Sequence, residues 1–412
     1  MITATKNDPN LKIELLAPAG SDESLRSALK FGADAVYLGG TNFGLRAFAQ
    51  NFDIQQLNDA VSLVHSQNKK IYLTANAAFY DEDFKKFESY VKEVEAIGVD
   101  ALIVSDPGAI SFIKDIAPDI QIHLSTQANT TNSKSASFWH KNGVKRIVLA
   151  REMSIEQIKR LRENTPETLD LEAFVHGAMC ISYSGRCLLS SVLTGRSGNL
   201  GECAQPCRWE YYLYEKGYPG QYFPISEDER GTYILNSKDL MMIEHLGKLL
   251  NAGVSSFKIE GRMKSAYYVA CTVGAYRRAI DDMLNGKEFD KSLLENLYDS
   301  GTRDFTTGFY FGNPYLKGQQ TERDIAIPNQ LFAAKVLEYD SENGLVKIEQ
   351  RNKFLVGDTL AVISPNITGK FIVETIKTED GIFLDAAPHP KQILYINCPF
   401  KLNDGDLLKK SV

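Results

Sequence analysis

The sequence predicts an α/β protein: a (β/α)8, TIM-like barrel carrying a Cys-rich insertion after strand seven, followed by a small C-terminal antiparallel β-barrel. Three patterns carry this expectation. Short β-branched runs alternate eight times with longer helical stretches between residue 13 and about residue 290, the rhythm of repeated right-handed β–α crossovers. No G-x-G-x-x-G follows the first strand, so an open dinucleotide-binding sheet lacks its phosphate loop. Beyond about residue 328 the helical stretches stop, and short strands divided by Gly, Asn, Asp and Pro take over.

The elements follow in order. IELLAP (13–18) leads into SDESLRSALKFG, AVYLGG (35–40) into DIQQLNDAVSLVHSQN, and KIYLTANA (70–77) into DEDFKKFESYVKEVEAIG. ALIVSD (101–106), IQIHLSTQAN (120–129) and RIVLAR (146–151) are followed by GAISFIKDIA, SKSASFWHKNG and SIEQIKRLREN. LDLEAFVHG (169–177) is the seventh strand. After the cysteine segment come SKDLMMIEHLGKLLNAG and the eighth strand, SFKIEGRM (256–263), then a long helix from Ser265. Ser21, Ser154 and Ser237 are expected N-caps, and Gly32, Gly98, Gly143 and Gly253 sit where helices must stop. The expected domains are 1–310 with the insertion at 178–235, a linker at 311–327, and a β-barrel at 328–412.

Composition narrows the class. The chain has 412 residues, 43% hydrophobic and 24% charged, enough for one large core and a smaller one. The formal charge of −6 argues against nonspecific coating of nucleic acid, while leaving room for a local basic surface. No apolar run approaches the roughly 20 residues of a membrane helix. The opening MITATKNDPN holds no apolar leader, so a cytoplasmic, reducing setting is expected.

Four of the six cysteines, Cys180, Cys187, Cys203 and Cys207, fall in one Gly-, Ser- and Arg-rich stretch. Six, fifteen and three residues separate them, so two short loops can each offer a pair of thiolates to one centre. Gly185, Gly198, Gly201 and Pro206 supply tight turns, and Arg186, Arg196 and Arg208 would balance thiolate charge. Spacing leaves zinc and iron–sulfur both open. Two disulfides would need an oxidising compartment. Cys271 and Cys398 read as small buried hydrophobes.

Barrel strands end at the active-site face. Those ends offer Asn76, Asp106, Gln127, Asn129, Arg151, Glu152, His176, Glu260 and Arg262. In the fifth strand Gln121, His123, Ser125 and Gln127 alternate with Ile120, Ile122 and Leu124, which puts a polar row toward the axis. That row lines a ligand mouth, or its members satisfy one another in a core layer. His176, four residues before Cys180, reads as a metal ligand, a proton carrier, or a donor to a cluster sulfur. Glu260 and Arg262 suit a substrate carboxylate or phosphate, or close the barrel as a salt bridge. Arg46, among Phe43, Phe48 and Phe52, could stack on a base or clamp an anion, or serve loop packing. No H-E-x-x-H and no G-x-S-x-G occurs, which weighs against hydrolysis.

EAFVHGAMCISYSGRCLLS (172–190) resembles the signature of peptidase family U32, the collagenase-like peptidases. The likeness extends to ELLAPAGSDESLRSALKFGADAVYLGG, NFGLRAFAQNF, GECAQPCRWEY and KIEGRMKS, about 13–290 in all, and the terminal segment resembles that family's C-terminal domain. The resemblance implies a barrel-like catalytic domain and a cluster on four cysteines matching Cys180, Cys187, Cys203 and Cys207. It tips the cofactor toward an iron–sulfur cluster, 4Fe-4S in type, with zinc as the alternative. It also implies RNA chemistry, because members with this two-domain layout resemble tRNA hydroxylation proteins that make 5-hydroxyuridine at the wobble position, a reaction associated with prephenate. Relatives act on ribosomal RNA cytidine or on ubiquinone precursors. The expected partners are tRNA and a small carboxylate, with no membrane. Proteolysis and noncatalytic cluster holding are the competing functions.

Overall fold

The computed structural model describes residues 13–45, 50–180, 182–209, two short strands at 213–214 and 222–223, 237–301, 303–314, 318 and 330–411. Seven parallel strands run in order: β1 (Glu14–Pro18), β2 (Ala35–Gly39), β3 (Lys70–Ala75), β4 (Ala101–Val104), β5 (Gln121–Leu124), β6 (Arg146–Val148) and β7 (Asp170–Gly177). β8 (Asp239–Met241) turns back antiparallel along the end of β7. β9 (Ser256–Ile259) pairs in parallel with both β7 and β1 and closes the cylinder. The expected eight-stranded barrel is therefore present, with β8 added at its mouth.

Period-two alternation explains the two layers. Leu15, Ala17, Val36 and Leu38 point outward into the main core, while Leu16, Ala35, Tyr37, Tyr72, Ala101 and Ile103 form a small apolar cluster inside the barrel. The outer layer comprises α1 (Asp22–Lys30), α2 (Ile54–Ser66), α3 (Phe84–Ile97), α4 (Pro107–Ile116), α5 (Ser133–Lys141) and α6 (Ile155–Glu163). After α7 (Leu189–Thr194), in the cysteine segment, come α8 (Leu246–Asn251), α9 (Ala266–Leu284) and α10 (Leu293–Ser300). Ser21 and Ser154 cap α1 and α6 by accepting from the amides of Ser24 and Gln157. Gly32, Gly98, Gly143 and Gly253 all take φ of +90° to +100°, which side chains resist.

One local expectation is corrected. Ser237 caps no helix; it precedes β8, and the chain turns helical only from Ile243, as a short 3-10 turn that leads into α8 at Leu246. Asp239 and Leu240 find ladder partners in Phe305–Thr306 and Leu240 and Met241 in β7, and tertiary pairing overrides the helical pattern of the segment.

The barrel floor is ionic. Arg146 donates to Glu14 and, at 3.3 Å, to Glu172; Lys258 donates to Glu172 at 2.7 Å; and the Ser256 hydroxyl donates at 3.1 Å to the same carboxylate. Glu172 is fully buried and Lys258 is 4% exposed. Burial works to raise the Glu172 carboxyl, but Lys258 and Arg146 prevail and hold it below its ordinary range.

The C-terminal domain is an eight-stranded antiparallel sheet curled around its own core, which includes Val346, Ile348, Phe354, Leu394 and Ile396. Its end strands, Lys370–Ile372 and Phe383–Leu384, are not paired with each other among the described residues, so the expected small barrel is an open, curled sheet. Tyr267 of α9 stacks on Phe332 with ring centroids 5.1 Å apart. Lys409 donates to Asp299 at 2.7 Å and to Asn296 at 3.0 Å, and Lys30 pairs at 3.0 Å with the buried Asp406. Most of the linker expected at 311–327 lies outside the described residues.

Candidate functional site: a cysteine-lined barrel mouth

β7 ends at Gly177, where φ is +102° and a β-carbon would collide with the Glu260 carbonyl. The chain then enters the cysteine segment, which stands over the barrel mouth. Cys180, Cys187, Cys203 and Cys207 all line one cavity of about 340 Å³, and all four are free thiols. The Leu189 amide donates to the Cys187 sulfur at 3.3 Å, and the Gln205 amide to the Cys203 sulfur at 3.4 Å. Burial pushes the Cys207 thiol up, Arg208 opposes this, and the other three sulfurs add to the upward shift. Among the described residues no three His, Cys, Asp or Glu side chains are grouped as a ligand set for a single ion.

Neighbouring loops brace the segment. Glu152, after β6, accepts from the Ser184 amide at 2.8 Å and holds that residue at φ +49°. The Ala78 amide donates at 3.1 Å to the Asn199 carbonyl. The Ser190 hydroxyl accepts from the Ala204 amide at 3.0 Å. Glu152 thus acts on the cysteine loop and does not line the cavity.

The remaining wall is charged. Arg151, Arg208, Lys264 and Arg303 line it together with Asp239 and Glu260. Arg186 and Arg196, also expected to balance the thiolates, are exposed and outside it. Asp239 is 3% exposed, and its Oδ1 is buried without a hydrogen-bond partner. Burial raises the Asp239 carboxyl against the pull of Lys264 and Arg303. Burial also lowers the Lys264 ammonium. None of Asp239, Lys264 and Arg303 was singled out from sequence. Lys264 lies two residues beyond Arg262 in the quoted KIEGRMK, and its place after the closing strand was the available signal.

Below this cavity, and sharing Leu45, Gln127, Arg151 and Glu260 with it, lies a small polar pocket of about 60 Å³ within the barrel top. Asn76 and Gln127 meet here: the Asn76 amide donates to Gln127 Oε1 at 3.3 Å, and the Ser125 hydroxyl donates to the same oxygen. Tyr37 donates at 3.2 Å to Glu260, which borders both spaces. Arg262 also lines the pocket, but it gives one guanidinium nitrogen to Thr74 Oγ1 and the other to Asn51 Oδ1, each at 2.8 Å. A β-carbon on Gly39 would collide with that guanidinium.

Other expected residues lie elsewhere. His123 is 2% exposed, edge-on to Tyr72 at 4.6 Å, and its imidazole is held neutral by burial with Arg146 and Lys258 nearby. Its polar row therefore divides, since Gln121 is at the exposed rim and only Ser125 and Gln127 reach the pocket. Asn129 takes a left-handed conformation, φ +56°, outside both cavities. Asp106 caps α4. Arg46 and Phe48 lie outside the described residues.

His176 is displaced by a bulge. Phe174 faces Lys258 across the β7–β9 ladder, but the next pair is His176 with Ile259. The extra residue, Val175, turns His176 from the axis toward Tyr268 and Tyr276 of α9 and toward Phe305. The Tyr276 hydroxyl donates to the Val175 carbonyl at 2.7 Å, so at 3.3 Å it is the acceptor for His176 Nδ1–H. His176 is fully buried, and burial brings its pKa down to about 3, with Lys264 adding to the shift. It lines neither cavity.

A closed parallel barrel whose mouth gathers four thiols and several cations defines a TIM-like barrel protein with a thiol-rich polar site at the strand C-termini, where such barrels carry their chemistry. The chain belongs to peptidase family U32: the family's model matches residues 20–320, and that of the Peptidase family U32 C-terminal domain matches 328–409. It is similar to tRNA hydroxylation protein P1 of Bacillus subtilis, 39% identical over 97% of this chain and 95% of that protein. It is similar to tRNA hydroxylation protein P of Escherichia coli, 36% identical over 94% of each. It also resembles a protein named collagenase from Porphyromonas gingivalis, 32% identical over 89% of this chain and 90% of that one.

Proposed function

We propose that this chain is an RNA-modifying enzyme that hydroxylates the wobble uridine of tRNA to 5-hydroxyuridine, with an iron–sulfur cluster held by Cys180, Cys187, Cys203 and Cys207. The observation that carries the reading is the sharing of one base-sized cavity at a barrel mouth by four free thiols. The names of the Bacillus and Escherichia relatives supply the substrate class. One zinc would draw its four sulfurs to about 3.8 Å from one another, given a Zn–S bond of about 2.3 Å. Four cysteines around one cavity of about 340 Å³ offer the ligand set of a multi-iron centre of the 4Fe-4S type, which the family resemblance favours over zinc. Amides directed at the sulfurs of Cys187 and Cys203 support the same assignment.

When bound, such a cluster supplies the electron transfer that hydroxylation requires. The chain's own residues do the rest. Gln127, which lines both spaces and is held by Asn76 and Ser125, offers its amide edge to a base, and Glu260, bordering both spaces, is placed to accept or return a proton. Arg262, tied to Thr74 and Asn51, fixes the pocket wall. A small carboxylate such as prephenate is the co-reactant that the family resemblance implies.

The test is mass spectrometry of tRNA nucleosides from a strain deleted for this gene and complemented with the wild type or a cysteine-to-serine variant. Hydroxyuridine should vanish on deletion and return only with the wild type; its persistence after deletion refutes the reading. Iron and sulfide analysis after oxygen-free purification should give about four of each per chain, and one zinc would refute the cluster. Peptide hydrolysis is the second reading, favoured by the Porphyromonas name. The described thiols have no histidine in their cavity to act as base, so gelatin should stay intact.

A further inference from the structure

Three cations, Arg208, Lys264 and Arg303, share the wall of the cysteine cavity, and among the described residues none of them forms an ion pair. Burial lowers the Lys264 ammonium most, Asp239 opposes this, and Arg208 and Arg303 add to the lowering; burial likewise lowers the Arg303 guanidinium, with Arg208 adding and Asp239 opposing. Crowding like charges in a partly buried cavity costs free energy unless an anion joins them. Arg208 adjoins Cys207 in the chain and so belongs to the cysteine loop itself. Among the described residues Asp239 and Glu260 act on Lys264, and Asp239 and Cys207 on Arg303, without an ion pair to either cation. Arg303 donates one nitrogen to the Ser237 carbonyl at 3.1 Å, which fixes its fork at the start of β8. Asp239 is buried in the same wall with Oδ1 lacking a hydrogen-bond partner, a cost that a native structure rarely carries without a function.

We infer that Lys264, Arg303 and Asp239 form an oxyanion subsite beside the four cysteines. It receives a phosphodiester oxygen of the RNA or a carboxylate of the small co-substrate. Arg303 presents a planar fork suited to two oxygens of either group, Lys264 adds a point charge, and the buried Asp239, with its unpartnered Oδ1, holds both cations at the wall. The role that the sequence suggested for Arg262 thus passes to Lys264 and Arg303, because Arg262 is engaged within the barrel. The subsite rests on the proposed RNA hydroxylation and adds to it the residues that seat the reactant's negative charge.

The experiment uses the full chain purified without oxygen and three variants, Lys264→Gln, Arg303→Gln and Asp239→Asn, with exposed Arg186→Gln as control. Iron content and melting midpoint establish that each variant is assembled. A fluorescent tRNA anticodon stem-loop is titrated at several salt concentrations, and prephenate is titrated by calorimetry. If the anion is the phosphodiester, Lys264→Gln and Arg303→Gln each weaken RNA binding about tenfold and reduce the salt slope by about one unit. If it is the carboxylate, prephenate affinity falls by a similar factor and the RNA slope stays unchanged. The inference is overturned if assembled variants bind both probes as the wild type does, including the case in which the wild type binds neither. Failure of the functional reading is separate and shows as hydroxyuridine surviving gene deletion.

Discussion

Removing the carboxylate of Glu172 should destabilise the barrel more than removing it together with its buried partner. Glu172 is fully buried between Lys258, Arg146 and Ser256. Arg146 retains Glu14 when Glu172 becomes Gln, but Lys258, 4% exposed, loses its only ion-pair partner among the described residues. Stranding a buried charge costs about 3–5 kcal/mol, whereas replacing both members with neutral groups of similar volume is often close to neutral. Unfolding entropy of about 2.1 cal/mol/K per residue, over a barrel of about 300 residues, converts each kcal/mol into about 1.6 °C. Glu172→Gln should therefore lower the barrel's melting midpoint by about 5–8 °C. Lys258→Met combined with Glu172→Gln should recover most of that loss. Scanning calorimetry of the two variants and the wild type checks this. A single variant within about 1 °C of wild type, or a double variant worse than the single, refutes the idea that an uncompensated ammonium sets the penalty.

Three further outcomes follow from the geometry. On the cluster proposed above, serine at any of Cys180, Cys187, Cys203 or Cys207 should abolish iron binding and visible absorbance, while serine at Cys271, whose thiol is pushed up to about 12 by burial, should leave both unchanged; absorption spectra decide. His176 titrates at about 3 when folded and near 6.5 when unfolded, so between those values only the unfolded chain binds the proton. Stability should then fall as pH drops from 6.5 toward 3, by up to about 1.4 kcal/mol per unit from this group, and denaturant midpoints of His176→Phe should fall less steeply. Glu152→Ala removes the acceptor of the Ser184 amide, so hydrogen exchange at 182–188 should quicken while protection of β6 stays constant.

The barrel was legible because its signals are local. Strand runs, caps at Ser21 and Ser154 and the four left-handed glycines are written in neighbouring residues. The cavity membership of the four cysteines was legible for the same reason, since their loops are short and glycine-rich. What was not legible depends on pairing across the chain. His176 was expected at the mouth because it stands at a strand end four residues before Cys180, and a single extra residue against β9 turns it toward α9 instead. Asp239 was hidden in a stretch with helical texture, and only the ladders with β7 and with Phe305–Thr306 draw it into a strand and into the cavity wall. Arg262 looked available from its position, yet its reach toward Thr74 depends on the missing side chain at Gly39.

The order in which the walls are synthesised sets a schedule. All four thiols precede β9, the stave that joins β7 to β1, and Glu260, Lys264 and Arg303 come later still. A nascent chain thus exposes its complete sulfur quartet while the cylinder remains an unclosed, seven-staved trough, and the lysine and arginine that later flank those sulfurs have not yet been made. The thiols stand most open in that interval, before β9 seals the rim.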